Sequence, residues 1–130
     1  MRLLLDTHCW LWMQAAPERL SDRVRDLLVD GDNILLFSAA SSWEIALKYA
    51  QGKLALPDPP SRYVPSRIQT SGVTPIPVEH AHALRVAELP LHHRDPFDRL
   101  LIAQAQLEQA SLVTVDEKLR AYDVDLIWAE

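Results

Sequence analysis

Apolar residues fall along this chain in short blocks whose spacing alternates between strand and helix. Leu3 to Leu5 is a continuous apolar run stopped by Asp6-Thr7, which suits a first strand buried on both faces. His8 to Gln14 follows as a helix carrying Trp10, Leu11 and Trp12. After Pro17, Ser21 is placed to cap a helix reaching Asp30, with Val24, Leu27 and Leu28 at helical spacing. Gly31-Asp32 signals a turn, and Ile34 to Phe37 reads as a second buried strand. Ser38 or Ser41 then opens a helix to about Gln51, stopped by Gly52. Pro57 to Pro60 must be loop, and Pro65 interrupts the helical pattern from Ser61 to Thr70. The remainder reads as a short strand from Val73 to Ile76, a helix from Val78 to Leu89 and a polar loop over His92 to Asp95. A long helix from Pro96 to near Gln109, a strand from Leu112 to Val115, a turn from Asp116 to Leu119 and a strand from Leu126 to Trp128 complete it.

Strands and helices thus alternate without an internal repeat or linker. That order predicts one α/β domain over residues 1–130: a three-layer α/β/α arrangement around a mostly parallel sheet of four or five strands.

With 130 residues, the chain can bury a core without a disulfide or structural metal. Cys9 is its single cysteine and has no intramolecular partner, which fits a reducing cytoplasm. Asp6 and His8 break the apolar opening, so it does not read as a signal peptide, and no run is long enough to span a membrane. A soluble cytoplasmic protein is the expectation. The formal charge of −5 speaks against a general nucleic-acid coat, although bound divalent ions would bring it close to neutral.

Topology directs chemistry to one rim. Parallel strands end at the same edge of a sheet, and ligands bind outside those carboxyl ends. Asp6 follows the first strand, Glu44 lies early in the helix after the second, Asp98 is in the first turn after Pro96, and Asp116 follows the Leu112–Val115 run. Two like charges ~4 Å apart repel by ~1 kcal/mol in water and ~4 kcal/mol at an effective dielectric near 20. A tight cluster of four acids therefore costs on the order of ten kcal/mol, comparable with the whole stability of a domain. The acids must stand apart, take protons, or share cations. Oxygen donors without a cysteine pair favour Mg²⁺ or Mn²⁺ over zinc.

Each acid also has an ordinary structural role open to it. Asp6 and Asp116 are good helix caps, and Glu44 completes a Ser41-x-x-Glu44 capping box or pairs with Lys48. Asp95 is the natural cap before Pro96, with Asp98 favoured by the helix dipole. Among the histidines, His80 and His82 point apart on a helix, and neither they nor His92 and His93 are spaced for zinc. An aspartyl phosphatase would want a second Asp at position 8, where His stands. A receiver-like signalling module would want paired acids beside the first strand.

Taken together, four segments resemble the motifs of PIN domains, and in particular VapC-type toxins. These are LLLDT at the start, SAASSWEIALKYAQGKL around Glu44, HHRDPFDRLLIAQA around Asp98, and LVTVDEKL ending in a Thr-x-Asp motif. The resemblance places the family's acids on Asp6, Glu44, Asp98 (not Asp95) and Asp116 as catalytic, metal-holding residues. It implies a Mg²⁺- or Mn²⁺-dependent endoribonuclease, the toxin of a toxin–antitoxin pair, forming a homodimer and inhibited by a small antitoxin. Thr7 and Ser38 match small hydroxyl positions lining such sites. Lys48, Lys53, Arg94 and Arg99 are candidate contacts for RNA phosphates. An inhibitory partner is expected to be basic where it meets the rim, because Arg satisfies carboxylates bidentately.

Overall fold

The computed structural model describes residues 1–130. Five strands form one sheet in the order β3-β2-β1-β4-β5, all parallel: β1 (Arg2–Leu5), β2 (Ile34–Ser38), β3 (Thr74–Ile76), β4 (Ser111–Thr114) and β5 (Leu126–Trp128). The helices are α1 (Thr7–Ala15), α2 (Asp22–Val29), α3 (Ala39–Ala50), α4 (Pro60–Ser71), α5 (His80–Arg85) and α6 (Pro96–Leu107). Short 3₁₀ turns occupy Pro17–Arg19, Val86–Glu88 and Glu117–Ala121.

The uniformly apolar strands have the composition of a sheet covered on both faces, and side-chain alternation sorts them between two cores. Leu3, Leu5, Leu35, Phe37, Val113 and Ile127 face one layer, where Trp10, Val24, Tyr63 and Val64 of α1, α2 and α4 pack. Leu4, Leu36 and Leu112 face the other, against Leu101, Ile102 and Ala105 of α6. Trp10 stacks on Phe37 with ring centroids 4.2 Å apart, joining α1 to β2.

The strand order has one functional consequence. From β1 the chain proceeds outward to β2 and β3, then crosses to β4 and β5 on the opposite side. The crevice between diverging connections therefore lies above the carboxyl ends of β1 and β4, where α/β proteins bind ligands.

Three local departures from the sequence pattern have physical reasons. α4 begins at Pro60, inside the expected loop, because proline suits a first helical position, and Pro65 does not end it: the helix runs through to Gly72 at φ 75°. The helical bond lost at Pro65 would go to the Ser61 carbonyl, and Ser61 is exposed to water. The helix expected over Val78–Leu89 begins only at His80 and tightens into 3₁₀ at Val86. Its start is fixed by the Glu79 N–H, which donates to His82 Nδ1 at 3.0 Å, and the carbonyls of Val86 and Leu89 turn to accept from Arg99. The third departure shortens α6: it stops at Leu107, and Gln109 takes a left-handed backbone, φ 53°, to enter β4. No helix is long and apolar enough to cross a membrane.

Candidate metal centre

Asp6 emerges from β1 at the rim, 5% exposed, and both its oxygens are occupied. Oδ1 accepts the Cys9 N–H at 2.9 Å, capping α1, while Oδ2 accepts the Thr114 hydroxyl at 2.5 Å. The capping role and a place at the rim thus coexist in one side chain. Thr114 also accepts the Asp116 N–H at 3.1 Å, tying the end of β4 to the end of β1. Burial, reinforced by the charge of Asp6, pushes the Cys9 thiol up, so Cys9 supplies no thiolate ligand.

Glu44 lies one and a half turns into α3 and is 4% exposed. Thr7 Oγ1 is 2.6 Å from its Oε1 and 2.9 Å from Ser41 Oγ. Thr7 has one proton, which goes to the carboxylate, leaving the Ser41 hydroxyl to donate to Thr7. Oε2 receives the Lys48 ammonium at 2.5 Å. Burial alone pulls the Lys48 pKa down, but hydrogen bonding and attraction to Glu44 outweigh it and hold the ammonium above its usual range.

At the start of α6, Asp95 is the cap: its Oδ1 accepts from the Phe97 and Asp98 N–H groups at 2.9 and 3.1 Å. Asp98 is free of capping and turns to the rim. Its Oδ2 meets His93 Nε2 at 2.9 Å, and Asp116 Oδ2 lies 3.3 Å from the same nitrogen. His93, Asp98 and Asp116 each bring one ligand atom into a cluster no wider than 4.8 Å, with side chains 15%, 22% and 33% exposed. Asp6 and Glu44 stand outside this tightest group. Their charges still reach Asp98: burial, then repulsion from Asp95, Asp6 and Glu44, raises its carboxyl to about 7 despite the opposing His93 hydrogen bond.

The donor set fits a hard divalent ion. Neighbouring ligands of an octahedral ion bound at ~2.1 Å are ~3.0 Å apart, close to the spacings around His93. Carboxylate oxygens without a thiolate suit Mg²⁺ or Mn²⁺, and of the two the transition ion takes an imidazole more readily. Residues Asp98 and Asp116 would hold such an ion, with Asp6 and Glu44 beside them.

The other sequence candidates divide. Lys53 is exposed and lines a cavity of about 210 Å³ with Thr7, His8, Glu44 and Lys48. Arg94 is exposed in the loop before α6. Arg99 instead turns inward: Nη1 donates to the Pro90 carbonyl and Tyr122 hydroxyl at 3.0 and 3.1 Å, and Nη2 to the Val86 carbonyl at 3.0 Å. Ser38 is fully buried, capping α3 through the Ala40 N–H and donating to Gln104 Oε1 at 2.5 Å. Arg99 is therefore held by structural partners, and Ser38 takes the capping role that its position before α3 also offered. Two residues were missed. Thr114 was signalled by the Thr-x-Asp motif, whereas His93 had only the spacing of the HHRDPFD segment to recommend it.

Comparisons with known proteins agree over most of the chain. A family model described as the PIN domain matches residues 3–125. Over 124 residues the chain is 33% identical to ribonuclease VapC22 of Mycobacterium tuberculosis, covering 92% of this chain and 91% of that protein. Over 69 residues it is 46% identical to ribonuclease VapC16 of the same organism; that match spans 51% of this chain and 49% of VapC16, about half of either. Among solved structures, VapBC2 of Rickettsia felis, bound to a DNA fragment from its promoter, aligns over all of both chains with a TM-score of 0.74 and 17% identity. VapBC-5 of M. tuberculosis, a member of the VapBC family of toxin–antitoxin systems, aligns over 98% of both with a TM-score of 0.64 and 19% identity.

Proposed function

The chain belongs to the PIN-domain family, and from that premise we propose that it is a metal-dependent endoribonuclease, the toxin of a toxin–antitoxin pair. The observation that carries the reading is the convergence of Asp98, Asp116 and His93 beside two buried, fully held carboxylates at the sheet's switch point. The names of the VapC relatives support ribonuclease activity.

A bound Mg²⁺ or Mn²⁺ would supply Lewis-acid stabilisation of charge on the phosphodiester and an acidified water. The chain's own contribution is preorganisation. Thr114 and the Cys9 N–H fix Asp6, and Thr7 and Lys48 fix Glu44, so neither carboxylate must reorient when substrate arrives. Lys53 and Arg94 would meet RNA phosphates, with Lys48 divided between Glu44 and substrate. Thr7 lines the site from α1.

The proposed partners are an antitoxin and a second copy of the chain. An antitoxin presenting arginine to the rim would pair with the carboxylates bidentately. The groove of about 530 Å³ between α3 and α4, lined by Ala46, Val64 and Ile68 among others, offers apolar surface to a partner.

The test is RNA cleavage by antitoxin-free protein with Mg²⁺ or Mn²⁺, compared with Asp6→Asn and Asp98→Asn. Cleavage that needs the metal and both acids is the expected result. Cleavage by either variant at the wild-type rate, or none by the wild type, ends the proposal.

A further inference from the structure

We infer that His93 is itself a metal ligand through Nε2, completing a site with Asp98 and Asp116, and that this nitrogen makes the site favour Mn²⁺ over Mg²⁺. The inference rests on the reading of the rim as metal-holding and names one ligand of that site more.

Three observations carry it. First, one nitrogen sits 2.9 Å from Asp98 Oδ2 and 3.3 Å from Asp116 Oδ2, spacings that adjacent ligands of one ion adopt. Each aspartate directs a single oxygen to this point, while the other oxygen of Asp116 is taken by the Lys118 N–H at 3.0 Å.

Second, the ring is carried by a braced loop. The His93 N–H donates to the Tyr122 hydroxyl at 2.8 Å. Its carbonyl receives Arg99 Nη1 at 3.4 Å, and the same guanidinium grips the carbonyls of Pro90 and Val86. The His92 ring packs edge-on against Tyr122 at 5.2 Å. These contacts hold the His93 backbone and so fix the point from which its ring reaches Asp98 and Asp116.

Third, the chemistry of the set is mixed. Mg²⁺ keeps oxygen ligands and waters, whereas imidazole is accepted more readily by first-row transition ions. One nitrogen among carboxylates therefore separates Mn²⁺ from Mg²⁺ where an all-oxygen rim would not. The opposing account makes His93 a protonated counter-ion that fills the place between the two acids and competes with metal. The two accounts differ in sign: removing a ligand weakens Mn²⁺ binding, and removing a competitor strengthens it.

The experiment is Mn²⁺ and Mg²⁺ titration by calorimetry with pulsed EPR of the Mn²⁺-loaded protein, on wild type, His93→Ala, His93→Gln and a His8→Ala control. Imidazole coordination gives ¹⁴N coupling in the wild type and in His8→Ala, absent from both His93 variants. Mn²⁺ affinity is expected to fall roughly tenfold to a hundredfold in the His93 variants, with Mg²⁺ affinity changing far less. The wild-type spectrum stands even where a variant folds poorly, and circular dichroism checks each variant. Mn²⁺ bound without ¹⁴N coupling, or Mn²⁺ affinity unchanged or raised in a folded His93 variant, overturns the inference. Where RNA cleavage still depends on Asp98, that result leaves the nuclease reading standing. A wild type that neither binds Mn²⁺ nor cleaves RNA overturns both.

Discussion

The rim has two halves that solve the same electrostatic problem differently. On the α1–α3 side, Asp6 and Glu44 are almost wholly buried, and every carboxylate oxygen has a protein donor within 3 Å. On the α6–β4 side, Asp98 and Asp116 are partly exposed and share one imidazole between them. The first half is finished by the chain: hydroxyls, an N–H and an ammonium offset the cost of burying two charges. The second has a single imidazole for two acids, and burial, then repulsion from Asp95, Asp6 and Glu44, raises the Asp98 carboxyl. Acids satisfied by protein donors are held in place by the chain; acids that repel across a gap are where a cation gains most.

The largest effect that tests this division is on cleavage. Asp6→Asn and Asp98→Asn should each lower kcat/KM for RNA by roughly a thousandfold or more, as removal of a central catalytic group does. Their effects on apo stability should part. Asp6→Asn replaces one of two acceptor oxygens by an NH₂ that faces a donor, and destabilises; Asp98→Asn removes like-charge repulsion and stabilises. Chemical denaturation of both variants without metal reads the difference. Shifts of the same sign would erase the distinction between the halves.

Next in size is a pH effect confined to the second half. A carboxyl that titrates at about 7 when folded, against an ordinary value of 3.8, binds a proton in the folded chain that the unfolded chain has already released. Stability therefore falls as pH rises through that window and is lowest, from this group, above 7. At about 1.4 kcal/mol per pH unit the loss is on the order of a few kcal/mol. Denaturation of wild type and Asp98→Asn from pH 4 to 8 should give curves that diverge, with the wild type losing ground as pH rises. Saturating Mn²⁺ at pH 7.5 should restore much of that loss, since a ligand bound only by the folded state stabilises it. Parallel curves for the two proteins would show that Asp98 carries no such proton.

A smaller effect probes the finished half. Thr114→Val keeps the shape of the side chain but strips one buried donor from Asp6 and the acceptor from the Asp116 N–H. A cost of about 1–3 kcal/mol is expected, the range for orphaning a buried polar partner. Tyr122→Phe removes the hydroxyl that receives the His93 N–H on the open half, and should cost only about 1 kcal/mol. Thermal denaturation of the pair ranks them, and a reversed order would place the strain of the site elsewhere.

The two halves were not equally legible in the sequence. Asp6, Glu44, Asp98 and Asp116 were readable because strand ends and first helical turns are local signals, and parallel topology sends them to one edge. Even the choice between Asp95 and Asp98 followed from Pro96, which marks the first helical position and makes its predecessor the cap. His93 was not readable in that way. The backbone that carries its ring is held by Tyr122, 29 residues downstream, and by Arg99 reaching back over a loop, contacts that no periodicity encodes. Arg99 is placed by the same kind of contact. A cation beside an acidic motif suggests phosphate, yet five carbonyl and phenol acceptors surround this one. The break at Val86 and the persistence of α4 through Pro65 were likewise decided by tertiary hydrogen bonds and solvent access rather than by local pattern.

The smallest effect distinguishes the two lysines beside the finished half. Lys48 is paired with Glu44, so Lys48→Ala leaves a buried carboxylate short of its partner and should lower both stability and cleavage. Lys53 lines the same cavity but is exposed, so its charge is available to a phosphate in solution. Lys53→Ala should leave the melting temperature within error, since an exposed surface change is worth about 0.5 kcal/mol or less. Its signature belongs in binding to single-stranded RNA. A lysine that neutralises one phosphate contributes about 0.7 to the slope of log K against log salt. The slope for Lys53→Ala, measured on the Asp98→Asn background so that RNA stays intact, should be shallower than that of Asp98→Asn alone by that amount. An unchanged slope would remove Lys53 from the RNA path and leave the cavity without a free cation of its own from α3 or its following turn.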